Sequence, residues 1–218
     1  MAMSEDAAAA AETPETPTGT RRGRVRLKRS AWMAVPAVAA GAVLMALTAQ
    51  GVLAAQFSIS GMPFTITADK LDGKGFAQFG SLDSMIPDSP NQGSTGGQVL
   101  VAVSAIKKAE ITNLCQSVDL GGVNLVIHAG DAGTPVSATD LTTDSDMLSG
   151  DAAFTNIEIG GDASTYTKAG NAGKGNPGVF GQQADTVVLT NLKQHNYAST
   201  AVGFKLPNLR LSFSSQGC

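Results

Sequence analysis

The chain has two imidazoles, His128 and His195, two thiols, Cys115 and Cys218, and one tight group of acids, Asp140, Asp144, Asp146 and Asp151. Acyl transfer needs a nucleophile, a histidine base and an acidic orienter in contact. His128 closes the apolar run Val123 to Ile127 and is expected at a strand end, while His195 falls in the polar stretch Lys193-Gln194-His195-Asn196 and is expected in a loop. Neither place predicts a base, and the nucleophile-elbow pattern G-x-S-x-G is absent. Paired carboxylates can hydrolyse glycosides, but these four acids share a turn-like stretch where solvation accounts for them. Their spacing also lacks the calcium-loop signature. Two Cys and two His cannot complete a four-ligand zinc or iron–sulfur site without carboxylates, and neither C-x-x-C nor H-x-x-x-H occurs. With no Walker A pattern and no strand-linked G-x-G-x-x-G, no catalytic residue, metal ligand or cofactor is expected.

Composition points to location instead. The 218 residues are only 15% charged with a formal charge of -3, which gives no electrostatic drive toward nucleic acid. Residues 1–29 begin with an Ala/Glu/Thr/Pro tail that lacks apolar periodicity and is expected to be disordered. They end on a basic flank formed by Arg21, Arg22, Arg24, Arg26, Lys28 and Arg29. Residues 30–55 then form an uncharged Ala/Val/Leu/Met-rich stretch, long enough as a helix to cross the roughly 30 Å hydrocarbon core of a bilayer. Cations on its N-terminal side alone predict a cytoplasmic N-terminus and an extracytoplasmic C-terminal domain, with Trp32 as an interfacial anchor. The stretch reads as an uncleaved signal-anchor, longer than an ordinary signal-peptide core; cleavage near Ala54 or Ala55 is the alternative. Arg21-Arg22 lacks the following apolar pair of a twin-arginine signal.

Residues 56–218 then lie in an oxidising compartment together with both cysteines, so a Cys115–Cys218 disulfide is expected. This part contains 9 Lys+Arg, 14 Asp+Glu and all eight Phe. Short β-branched and aromatic runs alternate there with Gly/Asp/Asn/Pro clusters, which predicts an all-β domain. Strands are expected at 57–59, 64–68, 75–79, 99–112, 123–128, 152–159, 186–192, 200–205 and 209–213. The segment 99–112 is expected to bulge near Ile106, although its apolar spacing also suits a helix. Ser89 to Gly97 and Lys168 to Gly178 are expected as surface loops, and Asp140 to Asp151 as an acidic turn region. Most of the Phe residues, namely Phe64, Phe76, Phe79, Phe154, Phe180, Phe204 and Phe213, are expected in the core, with a lipid-accepting groove between sheets as the rival.

One theme recurs: Ile111-Thr112-Asn113-Leu114, Phe154-Thr155-Asn156-Ile157 and Leu189-Thr190-Asn191-Leu192. Apolar residues three apart point to opposite faces of a flat strand. A bend at Asn brings both inward. That predicts a curled sheet or jellyroll, or an irregular β-solenoid in which Asn side chains bond neighbouring backbone. The phrases Thr65-Ile66-Thr67-Ala68-Asp69-Lys70-Leu71 and Val136-Ser137-Ala138-Thr139-Asp140-Leu141 weakly resemble the open β-jellyrolls of envelope lipid-transfer proteins. Gly80-Ser81-Leu82-Asp83-Ser84 has a superficial likeness to the G-D-S-L esterase pattern.

The basic flank with its single span, the stretch Ala109-Glu110-Ile111-Thr112-Asn113-Leu114-Cys115-Gln116-Ser117 and the terminal Gln216-Gly217-Cys218 together resemble an uncharacterised family of actinomycete membrane-anchored envelope proteins. The resemblance covers about Arg21 to Cys218, and Asn113-Leu114-Cys115-Gln116 is its most specific part. Some members of that family are labelled cholesterol esterase, but it supplies no catalytic motif to carry onto this chain. The expectation is a single-pass envelope protein whose noncatalytic β domain binds a hydrophobic ligand or a neighbouring membrane protein. The lipid bilayer is its other partner. The rivals are a lipid-ester hydrolase using Ser81 or another serine beside a histidine, and a structural surface protein.

Overall fold

The computed structural model describes residues 58–218. The expected tail and span, Trp32, Phe57 and the orientation residues Arg21, Arg22, Arg24, Arg26, Lys28 and Arg29 lie outside them. Among the described residues no helix is long and apolar enough to cross a membrane.

Nine strands carry the domain: β1 (Phe64–Ser84), β2 (Gln98–Thr112), β3 (Leu114–Asp119), β4 (Asn124–Ala129), β5 (Val136–Thr155), β6 (Glu158–Asp162), β7 (Phe180–Thr200), β8 (Gly203–Lys205) and β9 (Arg210–Ser214). They make one sheet, and every pairing between these strands is antiparallel. The four long strands form a circuit, because β1 pairs with β2 and β7 while β5 takes the other edge of both. A straight strand of 21 residues would run roughly 65–70 Å. Yet Ile59, five residues before β1, is bridged to Met85 just after it. Those five residues reach at most about 18 Å, so β1 must wind round on itself. The registers agree: Ile111 of β2 lies against Val136 at the start of β5, while Thr186 of β7 lies against Thr155 at its end. A circuit closed with that displacement needs steeply inclined strands. The curled sheet is therefore correct, whereas the jellyroll and the solenoid are not: one sheet closes on itself, with no stacked rungs.

The recurring Asn residues explain the curl. Asn113, Asn156 and Asn191 all adopt left-handed backbone, with φ of 55°, 50° and 53°. This conformation is tolerated by Asn far better than by most residues. At two of the three sites the flanking apolar residues both turn inward, burying Ile111 with Leu114 and Leu189 with Leu192. At the third, Phe154 is half-buried and Ile157 stays exposed. The Asn side chains bond carboxylates opposite them on the next strand rather than backbone. Asn113 Nδ2 donates to Asp69 (3.1 Å), Asn156 Nδ2 to Asp185 (2.6 Å) and Asn191 Nδ2 to Asp151 (2.9 Å). Two corner lines result. One carries Asn191, Asp69 and Asn113 across β7, β1 and the β2–β3 junction, and the other carries Asp140, Lys107, Gly75, Asp185 and Asn156 across β5, β2, β1, β7 and the end of β5. At the second line Asp140 and Gly75 are also left-handed. The bulge expected near Ile106 is absent: β2 keeps one register with β1 and one with β5 on either side of Lys107.

Replacing Asn191 by Ala removes both the side-chain bond and the tolerance for positive φ, and is expected to cost about 2–3 kcal/mol. Asn191→Gly should cost about 1 kcal/mol, since Gly accepts the backbone. Urea unfolding of the pair reads the difference, and equal losses would refute a corner role for the backbone.

Each kink flips the side-chain parity, which yields two cores from one sheet. Ile66, Leu71, Phe76, Ile106, Ile111, Leu114, Val136, Leu141, Val187, Leu189 and Leu192 fill the inside of the curl. The rings of Phe76 and Phe154 meet there at 5.4 Å between centroids, tilted by 45°. Ala77, Phe79, Val101, Val103 and Ala105 face outward and are covered by Ala163, Tyr166 and Ala169. Lys168 to Gly178 is accordingly not merely a surface loop, because its start is part of that cover. The fully buried Tyr166 ring fits because positions 161 and 181 lack side chains; a Cβ at Gly181 would stand 2.7 Å from Tyr166 Cε2.

Segment 99–112 is strand throughout, as expected, and not the alternative helix. Other expectations need correction. Strands 64–68 and 75–79 are one strand, and residues 140–151 lie inside β5 rather than in a turn. At 57–59, Ile59 makes only an isolated bridge. Phe180, Phe204 and Phe213 are exposed rather than core.

Candidate functional site

Among the expected site residues, Cys115 on β3 and Cys218 at the C-terminus form the disulfide, with Cα atoms 6.0 Å apart. The terminal segment crosses β3 and β4 to reach it, and Cys218 N donates to Ser117 Oγ at 2.9 Å. Gly217 allows this crossing, since a Cβ there would lie 2.8 Å from Ser117 Oγ.

The histidines do not meet a nucleophile. His128 is the penultimate residue of β4, as expected near a strand end, and its Nε2 lies 3.9 Å from the disulfide sulfur of Cys115. His195 is not in a loop but inside β7, with Nδ1 2.7 Å from Asp146 Oδ1 and its ring edge-on to Tyr197 at 5.8 Å. Asp146 also bonds Tyr197, whose phenol pKa is raised first by burial and then by the Asp146 charge. An Asp–His pair is two thirds of a hydrolytic triad. Among the described residues no serine or threonine hydroxyl is hydrogen-bonded to either histidine.

A second polar feature joins Asp144, one of the four acids that the sequence assigned to solvation, to Asp83, with which the sequence did not connect it. Asp83 on β1 and Asp144 on β5 approach each other from the strands flanking β2, on the face that carries Val101 and Val103. Burial raises the Asp83 pKa, opposed by a hydrogen bond from Asp144. Asp144 is pushed up to about 7, first by burial, then by the Asp83 charge and the bond to it. Asp83 Oδ2 is buried and has no partner while both groups are ionised, so one shared proton satisfies the pair. Such a pair can give and take a proton near neutral pH. Neither acid lines the interior cavity described next, and among the described residues no group of His, Cys, Asp or Glu is arranged to hold a metal ion.

The interior of the curl encloses only about 40 Å³ of free space, lined by core residues such as Leu71, Phe76 and Leu189 together with Ser104, Thr143 and Gln194. Sites that take drug-sized ligands run to roughly 300–1,000 Å³. The interior is thus packed, with Phe76 as its one buried Phe, and its free space falls well short of a drug-sized ligand.

Apolar surface is displayed outside. Leu82 and Leu100 are cross-strand partners, 59% and 72% exposed. Phe180 stands on β7 beside the open position of Gly80, and Ile159 of β6 lies next to it, both about two-thirds exposed. Ile86, one residue beyond Met85, is also exposed. Ile59, where the described chain enters, bonds Ser84 through its backbone N–H at 3.1 Å, which puts the entry point beside this patch. A second apolar row, Leu125, Ile127, Leu211 and Phe213, runs along β4 and the edge strand β9. Single exposed apolar residues are ordinary, but contiguous ones on one sheet face mark a contact surface.

No curated protein and no solved structure matches the chain. Residues 60–218 match the Family of unknown function DUF6230, and the chain belongs to that family.

Proposed function

We propose that this chain is a membrane-anchored envelope protein whose β domain is a noncatalytic binding module lying against the lipid surface. The observation that carries the proposal is the exposed patch of Leu82, Leu100, Ile159 and Phe180 beside the entry point at Ile59. Ala55, the last residue of the expected span, is four residues from Ile59, a reach of at most about 14 Å. An apolar face at that distance from a bilayer interface has an obvious occupant in the interface itself. Burying such side chains contributes roughly 1.5–3 kcal/mol each when burial is complete. With the hydrophobic interior filled, a lipid would be met at the surface rather than enclosed. A histidine-based ester hydrolase draws less support, because His195 is engaged by Asp146 and Tyr197 and His128 faces the disulfide.

The test uses the full chain in vesicles. With Trp32→Phe removing the native indole, Phe180→Trp is expected to give blue-shifted emission that lipids brominated near the headgroup quench. Leu82→Asn with Leu100→Asn should abolish the quenching. An indole at position 180 with water-like emission and no quenching would refute the apposed domain.

A further inference from the structure

The domain is acidic, with 9 Lys+Arg against 14 Asp+Glu beyond residue 55. Four of those cations, Lys74, Lys107, Lys108 and Lys168, nonetheless ring one open depression of about 350 Å³ whose other lining residues are Gly75 and Asp185. Lys74 and Lys108 are direct cross-strand partners. Like charges placed opposite each other destabilise a sheet, and among the described ion pairs neither has a carboxylate partner, nor does Lys107. Asp72 pairs with Glu110 on the neighbouring rung, and Asp72 is engaged by Lys70 at 3.0 Å.

The depression is shaped by the second corner line. Gly75 takes φ of +70°, and the backbone of Lys168 is seated so closely over it that no Cβ fits there. Lys168 is held in place by Asp185 at 2.9 Å and by the Asn156 carbonyl, to which its Nζ donates at 2.6 Å. Asp185 is itself fixed by Asn156 Nδ2. The crossing segment thus forms a wall, the kinked strands form a floor, and three lysines without carboxylate partners stand around it.

We infer that this lysine-ringed crease over Gly75 is a binding site for a phosphate group. Ammonium groups are compact point charges with three rotatable donors each, and several of them can converge on a tetrahedral phosphate oxyanion without the fixed bidentate geometry of an Arg fork. The only Arg beyond residue 55 is Arg210, which is paired with Asp131 elsewhere on the sheet. The volume suits either a free polyphosphate or the headgroup of an anionic phospholipid. Phosphate is the chemistry the two share.

The experiment uses the full chain in neutral detergent, titrated calorimetrically with tripolyphosphate, and separately in micelles doped with phosphatidylglycerol or phosphatidylcholine. The basic flank at 21–29 binds polyanions too, so the comparison is between the wild type and Lys74→Gln/Lys108→Gln, which both retain it. The double variant is expected to lose at least about tenfold in affinity for one phosphate source while its thermal midpoint stays level or rises, because a like-charge pair has been relieved. Lys193→Gln, a lysine outside the crease, should leave affinity unchanged. Loss with tripolyphosphate alone identifies a soluble phosphate, and loss with phosphatidylglycerol alone a lipid headgroup. Equal affinities of wild type and double variant for both probes would overturn the site, as would equal losses from Lys193→Gln.

Discussion

Replacing Cys115 and Cys218 together by Ser is expected to lower the unfolding free energy by about 4 kcal/mol and to release the C-terminal strand first. The bond closes a sequence separation of 103 residues. In the chain-entropy account a loop of that length contributes roughly 4–5 kcal/mol, because the open chain regains the conformations that the crosslink forbade. The structure says where the loss begins. β9 is the last strand of the sheet, and its ladder partner is β4. Its Leu211 and Phe213 are exposed and contribute little burial. What fixes the segment beyond that ladder is the disulfide and the Cys218 N–H bond to Ser117. Without the link, amide exchange in 210–218 should approach that of a frayed terminus while β1, β2, β5 and β7 keep their order of protection. Denaturant unfolding measures the global loss and hydrogen exchange its location. A double variant within about 1 kcal/mol of wild type, with β9 amides still protected, would show that β9 holds without the clip.

The curl was legible in the sequence at one kind of place. The apolar-Thr-Asn-apolar theme implies a bend that turns both apolar ends inward, and the left-handed Asn113 and Asn191 do this. The carboxylate partners were not legible, because Asp69, Asp151 and Asp185 come opposite the Asn residues only once the registers are set. Strand length was hidden for a related reason. Asp72-Gly73-Lys74-Gly75 has the composition of a turn, yet it lies within β1, where Gly73 makes room for Val187 (2.7 Å from a would-be Cβ) and Gly75 supplies a kink. A kink flips parity, so a long strand reads as two short ones separated by a loop. The acids 140–151 misled in the same way, since Asp140 is a left-handed corner residue and Gly150 opens the backbone beside Asn191. The exposed Phe180 and Phe213 illustrate a different limit: alternation shows that a residue sits on a strand face, not whether another layer covers that face.

Stability is expected to fall as pH rises from about 4 to about 7, and Asp144→Asn should remove most of that fall. Asp83 and Asp144 both have raised pKa values, and Asp144 titrates at about 7. Between the ordinary carboxyl value of 3.8 and that point, the folded state holds a proton that the unfolded chain has released. The folded form is then the one that binds more protons, so unfolding becomes easier with each unit of rising pH until the folded group has also ionised. The sign is opposite to that of Asp119, Asp131, Asp162 and Asp185, whose pKa values are lowered by backbone or side-chain hydrogen bonds and whose stabilisation is lost on acidification instead. The domain should therefore be most stable in a mildly acidic window and weaken on both sides of it. Partial solvent access screens the pair, so the alkaline loss is about 2 kcal/mol rather than the full linkage value. In Asp144→Asn the amide still donates to Asp83, while the mutual repulsion and the desolvated second charge are gone. At pH about 8 the variant should accordingly be more stable than wild type by roughly 1–2 kcal/mol, and near pH 5 the two should be within about 0.5 kcal/mol. Urea midpoints across this range decide the matter, since a wild-type curve that rises from pH 5 to pH 8 would mean that the two carboxyls never share a proton.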